Sequence, residues 1–310
     1  MAKLKADRLL SADADVTTIG IEGDCFPLNG SSGKIHCLDE MSPSDFSISF
    51  STTSGAPIET PSIYKLKADG SQITVVANAK GIYSVTEHTS NGETVITENI
   101  RDSTFVVYKG SQSDKAALSK FKYGESERPP VEIDDGGRLL SEAKADPQVR
   151  SRRLQTDKKY IKVDVLVDVA HDVYDRYKLD TASILATMMD EVASDFLFAG
   201  VAISATVQID TDGNSDFTGI VQSNRDTCGG KGGGVLGQTR LLGLAGYGLR
   251  HGLYNKDMKG GTIGCAYIGA VCNSGYGAGV SQTYSSNILE NAMVVSHELV
   301  SSTMIKGHMY

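Results

Sequence analysis

Three features are absent from this 310-residue sequence, and each absence excludes a class of protein. No apolar run approaches the ~20 residues that a membrane-spanning helix needs, so we expect no transmembrane segment. The first residues, Met1 to Ser11, lack the apolar stretch of a signal peptide and taken literally predict a cytosolic protein. An excess of positive charge is absent too: a net charge of −8 argues against nucleic acid or an anionic membrane as a main partner.

The N-terminal region from residue 1 to 110 is predicted to be rich in β-strands. Short runs of β-branched and aromatic residues, such as Gln72–Ala77 and Ser103–Tyr108, alternate with turn signals such as Asn91-Gly92. This region offers no catalytic constellation beyond its two cysteines.

Residues 111–153 have the composition of a linker, rich in Lys, Glu, Asp and Ser and poor in aliphatics. The linker ends in Arg150-Ser151-Arg152-Arg153, the R-x-[KR]-R pattern that furin-like processing proteases cut. Arginines suit such a site because an acidic pocket recognises each guanidinium by charge and geometry. A solvated basic run in a tether is the alternative interpretation of the same residues.

From residue 154 to 310 the pattern changes to α/β. Strands are predicted over 159–168 and 201–209, and helices over 181–198 and from about Asn287, with a polar Gly-rich excursion over 211–237. We therefore expect a mixed α/β (α+β) domain after the linker.

The last predicted helix carries half of a zinc-binding motif. In H-E-x-x-H, two histidines one helical turn apart bind Zn²⁺ and the glutamate activates the metal-bound water. His297 and Glu298 are present, but Ser301 occupies the position of the second histidine.

Four stretches occur in an order that resembles the reprolysin/adamalysin branch of the metzincin proteases. They are KYIKVDVLVDVAHDVYDRYK (159–178), GGTIGCAYIGAVC (260–272), GVSQTYSSN (279–287) and AMVVSHEL (292–299). The resemblance covers about 154–299 and is strongest over the last forty residues of that range.

The resemblance implies a twisted sheet with two long helices, the second of which carries the zinc ligands. His297 would be the first ligand and Glu298 the general base of a zinc-dependent endopeptidase. An edge strand at Gly264, Cys265, Ala266 and Tyr267 would pair with extended peptide substrate. Residues 1–153 would be a propeptide removed by a furin-like protease. The resemblance also allows Ca²⁺, for which the residues offer no support.

The sequence departs from the family pattern H-E-x-x-H-x-x-G-x-x-H after Leu299. Met304 occupies the glycine position of this motif and Gly307 the position of its third histidine. His308 lies one residue beyond that position. A continuous helix would place His308 roughly 16 Å along the axis from His297, so His308 could bind the same ion only if the chain turned back. The lower subdomain of the family is missing from the sequence.

One hypothesis accounts for these departures together. Val300-Ser301-Ser302 can be encoded by GTAAGTAGT, which begins like a eukaryotic splice donor, so the tail from Val300 would be translated intron. Genomic sequence with other codons there and no downstream Gly-His-x-x-Gly exon would contradict this hypothesis.

The five cysteines fall into an early pair, Cys25 and Cys37, and a late group, Cys228, Cys265 and Cys272. The early pair could form a small disulfide loop, supply a cysteine switch that caps zinc, or do neither. The odd count indicates a free thiol or a missing partner if the protein is secreted. By resemblance, the cysteine at position 272 pairs with one near the end of the family domain.

Two functions follow from this sequence. One is a secreted zinc metalloendopeptidase zymogen that acts on protein or peptide substrates, of which this chain carries part of the site. The other is a catalytically inactive relative that acts as a binding or adhesion protein. In either case we expect the 310-residue chain to show little or no protease activity and weak zinc affinity.

Overall fold

The computed structural model describes residues 14–18, 25–27, 35–44, 46–68, 70–90, 93–101, 104–111, 161–198, 200–224, 228, 234–258, 261–273 and 275–303. Ten strands come from the N-terminal half: β1 Ala14–Thr18, β2 Cys25–Pro27, β3 Ile35–Cys37, β4 Ser42–Pro43, β5 Ile48–Thr52, β6 Ser62–Ala68, β7 Ser71–Asn78, β8 Gly81–His88, β9 Glu93–Arg101 and β10 Thr104–Ser111. Seven of them form the N-terminal sheet, in the antiparallel order β1-β10-β9-β8-β7-β6-β4.

From β6 to β10 the N-terminal sheet is built from hairpins between consecutive strands, as its turn signals predict, and β1 and β4 pair at its two edges. β7 and β8, for example, pair with Val75 opposite Val85. Both side chains lie in a small core with Phe26 and Ile73, and all four are buried. The expectation of a β-rich first region is confirmed for the described residues.

The C-terminal half contributes strands β11 Ile161–Val169, β12 Val201–Ile209, β13 Leu249–Tyr254, β14 Gly264–Ala266 and β15 Ala278–Gln282. Its α-helices are α1 His171–Tyr177, α2 Thr181–Phe198, α3 Asp216–Asn224, α4 Val235–Thr239 and α5 Ile288–Thr303. The C-terminal sheet has six strands in the order β14-β15-β13-β11-β12-β5. All neighbours in it are parallel except β14 and β15, which are antiparallel. The expected mixed α/β fold is confirmed.

One strand of this sheet comes from the other half of the chain. β5 pairs in parallel with β12, with Ile48 opposite Ala205 and Thr52 opposite Ile209. The sequence predicts short strands throughout residues 1–110 but does not indicate which sheet a given strand joins. Pairing partners are chosen by packing and register over long sequence distances, and a local pattern contains neither.

The two faces of the C-terminal sheet are covered by different helices. Successive residues of a strand point to opposite faces, so Leu253 of β13 packs with α2 and α5, while Tyr254 packs with α3 and α4. The helices α2 and α5 also contact each other, and the Ser296 hydroxyl donates a hydrogen bond of 2.9 Å to Asp195. The N-terminal sheet covers the opposite side of α2, so this helix lies between two sheets.

Several expected bounds agree with the structure and one region differs. The predicted helix over 181–198 and strand over 201–209 are confirmed. The first strand is described from Ile161, and residues 159 and 160 of its prediction lie outside the described residues. The excursion over 211–237 contains the helix α3, which the polar composition did not predict. α3 is held by Phe217, whose ring covers Gly252 so closely that a Cβ there would lie 2.2 Å from Cζ.

Two disulfides are present, Cys25–Cys37 and Cys228–Cys265. The disulfide alternative for the early pair is therefore confirmed; this bond joins β2 to β3, where the two cysteines stand directly opposite each other. The late bond ties residue 228 to the strand β14. Cys272 belongs to neither disulfide and is exposed. Among the described helices, none has both the length and the apolarity for crossing a membrane.

Candidate functional site

The helix α5 positions the candidate catalytic residues beside the strand β14. Asn287 precedes it and accepts a hydrogen bond of 2.9 Å from the Leu289 N–H, which satisfies one of the free donors of the first turn. Apolar side chains at helical spacing, among them Ala292, Val295 and Leu299, are buried in the core that α5 shares with the sheet. This packing determines which way the remaining side chains of the helix point.

His297 and Glu298 are neighbours in sequence but lie in different environments. The imidazole of His297 is exposed, and partial desolvation lowers its pKa. Glu298 is fully buried, and burial raises the pKa of its carboxyl group to about 8. At neutral pH the buried group therefore favours its protonated form, whereas a general base must be ionised.

The carboxyl group of Glu298 lies against the backbone of β14. A Cβ at Gly264 would be 2.8 Å from Oε1 of Glu298 and 3.0 Å from Cγ1 of Val294, so any larger residue at this position would force α5 to shift. Both carboxyl oxygens are buried without a hydrogen-bond partner in the described part of the chain. Glycine at position 264 is thus what allows the acid to approach the edge of the sheet.

The end of α5 is tied to the loop that follows β14. The N–H of Gly269 donates to the Ser301 carbonyl at 2.9 Å, and the N–H of Val271 donates to the Ser302 carbonyl at 3.0 Å. Side-chain and backbone groups of Ser301 are buried, with 8% of the residue exposed. The position where the motif would have its second histidine is therefore part of a packed helix end.

The residues described do not make up a zinc site. Structural and catalytic zinc sites in proteins use three or four His, Cys, Asp or Glu ligands, and over the described ranges no group of three such side chains could hold a metal ion. On α5 the candidate ligand is His297 alone, since Ser301 follows it one turn later. The second candidate, His308, lies outside the described residues.

β14 is an edge strand of the C-terminal sheet, as the resemblance implies. On its paired side, the Ile263 carbonyl accepts from the Gln282 N–H at 2.7 Å and the Tyr267 N–H donates to the Ala278 carbonyl at 3.4 Å. In an antiparallel ladder, alternate residues direct their backbone groups to the same side. The N–H and C=O groups of Gly264 and Ala266 consequently point away from β15. All three residues of β14 are buried, however, so this edge is covered in the structure.

Behind this edge is a buried histidine that sequence reasoning did not assign to the site. Nε2 of His251 lies 2.9 Å from Oγ of Ser281, and its ring covers Gly279, where a Cβ would lie 2.8 Å from Nδ1. Burial lowers the pKa of His251 to about 3, so the ring is neutral at physiological pH. The G-V-S-Q stretch contains both small residues of this contact, but nothing in it indicates that a histidine 28 residues earlier packs there.

The other predicted site residues are distributed as follows. Gly264, Cys265 and Ala266 form β14, and Tyr267 follows it. Cys265 is engaged in the disulfide with Cys228. The proposed processing site, Arg150, Arg152 and Arg153, lies outside the described residues.

A match to a family model agrees with the resemblance inferred from the motifs. Residues 201–300 match the family described as Metallo-peptidase family M12B Reprolysin-like. Among solved structures, the chain is similar to metalloproteinase-II from Bacteroides fragilis, with 13% identity and a TM-score of 0.42 over 89% of this chain and 78% of that one. The family match ends at Val300, one residue beyond Leu299, the last residue that agrees with the motif. The matched residues run from β12 to the second half of α5 and are similar to the reprolysin type of M12B metallopeptidases.

Proposed function

We propose that this chain carries a propeptide and part of the catalytic domain of a secreted zinc metalloendopeptidase, and that the 310-residue chain is itself weakly active or inactive. The observation that carries the proposal is the position of the His297–Glu298 turn directly above the edge strand β14. An extended peptide can add to a sheet edge as a further strand, which would bring it beside Glu298 once the buried edge of β14 is uncovered.

The peptide would bind as an additional antiparallel or parallel strand on β14. Backbone groups of Gly264 and Ala266 point away from β15 and would supply the main-chain hydrogen bonds once the groups that bury this edge move aside. Glu298 would lie near the bound peptide, because it packs on Gly264. Ionisation of Glu298 would require a more polar surrounding than it has here, since burial holds it protonated near neutral pH.

The described residues do not supply everything that peptide hydrolysis by this family requires. The family uses Zn²⁺ to polarise water, and the described residues do not make up its ligand set. Ser301 favours the second candidate function, an inactive relative that binds protein or peptide without cutting it. Its carbonyl is held by Gly269 and the residue is buried, so the helix end is well packed without a histidine.

Zinc content and peptide cleavage, measured together on the purified chain, test the proposal. We expect substoichiometric zinc after exchange into metal-free buffer and no cleavage of a quenched fluorescent peptide library. Tight binding of one zinc per chain, with hydrolysis that Glu298→Ala abolishes, would contradict the inactive assignment.

Sequencing the cDNA across the codons for Leu299 and Val300 separates the two functions. A reading frame that continues through Gly-His-x-x-Gly-x-x-His supports the endopeptidase. Codons for Val-Ser-Ser that end after Tyr310 support the binding protein.

A further inference from the structure

We propose that residues 14–111 stay bound to residues 161–303 as a non-covalent subunit after the connection between them is cut. We call these two parts the N-terminal body and the C-terminal body. The proposal rests on the division into propeptide and catalytic region made above, but it does not depend on peptide hydrolysis. Three kinds of contact between the bodies carry it.

The first contact is a strand that the N-terminal body inserts into the sheet of the C-terminal body. The Ala205 N–H donates to the Ser47 carbonyl at 2.9 Å, and the Thr53 N–H donates to the Ile209 carbonyl at 3.0 Å. These bonds flank the five paired residues of β5 and β12. Removing β5 would leave the backbone N–H and C=O groups along one edge of β12 unpaired. Such an edge tends to pair with other chains.

The second contact is a polar face of α2 that is buried only because the N-terminal sheet covers it. Across it, the Asn78 amide donates to the Ser183 hydroxyl at 3.1 Å, and the hydroxyl groups of Ser84 and Thr187 lie 2.6 Å apart. Ser183 and Thr187 are 3% and 1% exposed. A helix with polar residues on this face needs partners for them, and the N-terminal strands supply these partners.

The third contact is a set of charge pairs on the same face. Nζ of Lys65 lies 3.1 Å from Oδ1 of Asp190, and Nε2 of His88 lies 3.2 Å from Oε2 of Glu191. The basic groups belong to the N-terminal body and the acidic groups to the C-terminal body, and the His88–Glu191 pair is an ion pair only when the imidazole is protonated. Asp190 has 2% of its side chain exposed, so without Lys65 its charge would be buried without compensation.

The strand contact of the N-terminal body lies at the opposite end of the C-terminal sheet from β14. β5 is at one end of the C-terminal sheet and β14 at the other, with four strands between them. At about 4.8 Å per strand, the two edges are roughly 24 Å apart. The contacts described therefore retain the N-terminal body without occupying the strand edge beside Glu298, and a cut chain would keep it as a stabilising partner.

The test begins with the full chain carrying a recognition sequence for a site-specific protease between Ser141 and Glu142. After complete cleavage, checked on a denaturing gel, we expect both fragments to co-elute in size-exclusion chromatography at the position of the uncut chain. Separate elution of the two fragments at micromolar concentration would overturn the proposal.

A charge-swap cycle on the cut protein tests whether the buried face of α2 holds the complex. Lys65→Glu and Asp190→Lys should each raise the Kd between the fragments by about tenfold or more, and the double variant should recover most of the loss. Lys67→Glu, an exposed position on the same strand, is the control and should leave the Kd unchanged. If Asp190→Lys does not fold, Lys65→Gln replaces it: an unchanged Kd in Lys65→Gln, or no recovery in the double variant, would refute the role of this pair.

Discussion

The helices α2 and α5 lie side by side on one face of the C-terminal sheet, yet their buried acids have different surroundings. Asp190 and Glu191 of α2 each face a basic side chain of the N-terminal sheet, Lys65 for Asp190 and the imidazole of His88 for Glu191. Glu298 of α5 faces the backbone of Gly264 and has no hydrogen-bond partner among the described residues.

The paired acids of α2 contribute to the stability of the fold, whereas the unpaired acid of α5 does not. Pairing keeps the charge of a buried carboxylate, because its partner offsets part of the desolvation. An unpaired buried carboxyl group shifts its pKa upward instead, as the pKa of about 8 for Glu298 shows. Acids kept unpaired at the edge of a sheet are candidates for chemistry rather than for stability.

The largest effect is expected from removing the partner of Asp190. Lys65→Met should lower the free energy of unfolding by about 3 to 4 kcal/mol at pH 7, since it leaves a buried carboxylate uncompensated. Urea denaturation measures this, with Lys67→Met on the same strand as the matched control. Equal stability of the two variants would show that Asp190 does not depend on Lys65.

Another buried acid, Glu98, is intermediate, because it is hydrogen-bonded but not ion-paired. The Tyr83 hydroxyl donates to it at 2.5 Å, and burial raises the pKa of Glu98 from 4.5 to about 7. Between these values the folded protein holds a proton that the unfolded chain has released, so stability falls as pH rises from about 4.5 to 7. The loss attributable to Glu98 is about 3 kcal/mol.

Glu98→Gln checks this assignment, because the amide cannot titrate. We expect the unfolding free energy of the variant, relative to that of the parent chain, to increase from pH 4.5 to pH 7. Above pH 7 the difference should stay constant. A difference that is independent of pH would contradict the assignment to Glu98.

A moderate effect is expected at the contact between Gly264 and Glu298. Gly264→Ala should destabilise the protein by about 2 kcal/mol, because the new methyl group would overlap the Glu298 side chain and crowd Val294. Glu298→Ala in the same chain should restore part of that loss. Thermal unfolding of both single variants and the double variant gives the coupling, and strictly additive effects would mean that the two residues do not touch.

The smallest effect is expected from neutralising the unpaired acid. Glu298→Gln should leave stability at pH 7 unchanged or raise it by about 1 kcal/mol, because it removes the cost of protonating the carboxyl group on folding but buries an amide that has no hydrogen-bond partner. Asp190→Asn, measured in parallel, should destabilise, because its charge is paired. Loss of stability in both variants would remove the distinction between the two helices.

Local sequence patterns were sufficient for much of the fold. Apolar spacing gave the bounds of α2, and β-branched runs gave β12, because both elements bury a regular face. The motif G-T-I-G-x-A-Y led to an edge strand at Gly264. The helix α3 was missed because its polar composition resembles a loop, and Phe217 stabilises it through a contact with Gly252 that is distant in sequence.

The candidate site was predictable only in its residue identities. His297, Glu298 and Ser301 could be read directly, since a motif is a local spacing of residue types. The burial of Glu298 against Gly264 and the exposure of His297 could not, because they depend on how α5 packs on the sheet.

The sequence by itself determined the strands, the two long helices and the reprolysin-like segment, because hydrophobic periodicity and motif spacing are properties of neighbouring residues. The tertiary structure alone decided that β5 joins the C-terminal sheet and that the N-terminal sheet covers the polar face of α2. Strand pairing and charge pairing act between residues more than a hundred positions apart, and no local pattern specifies such partners.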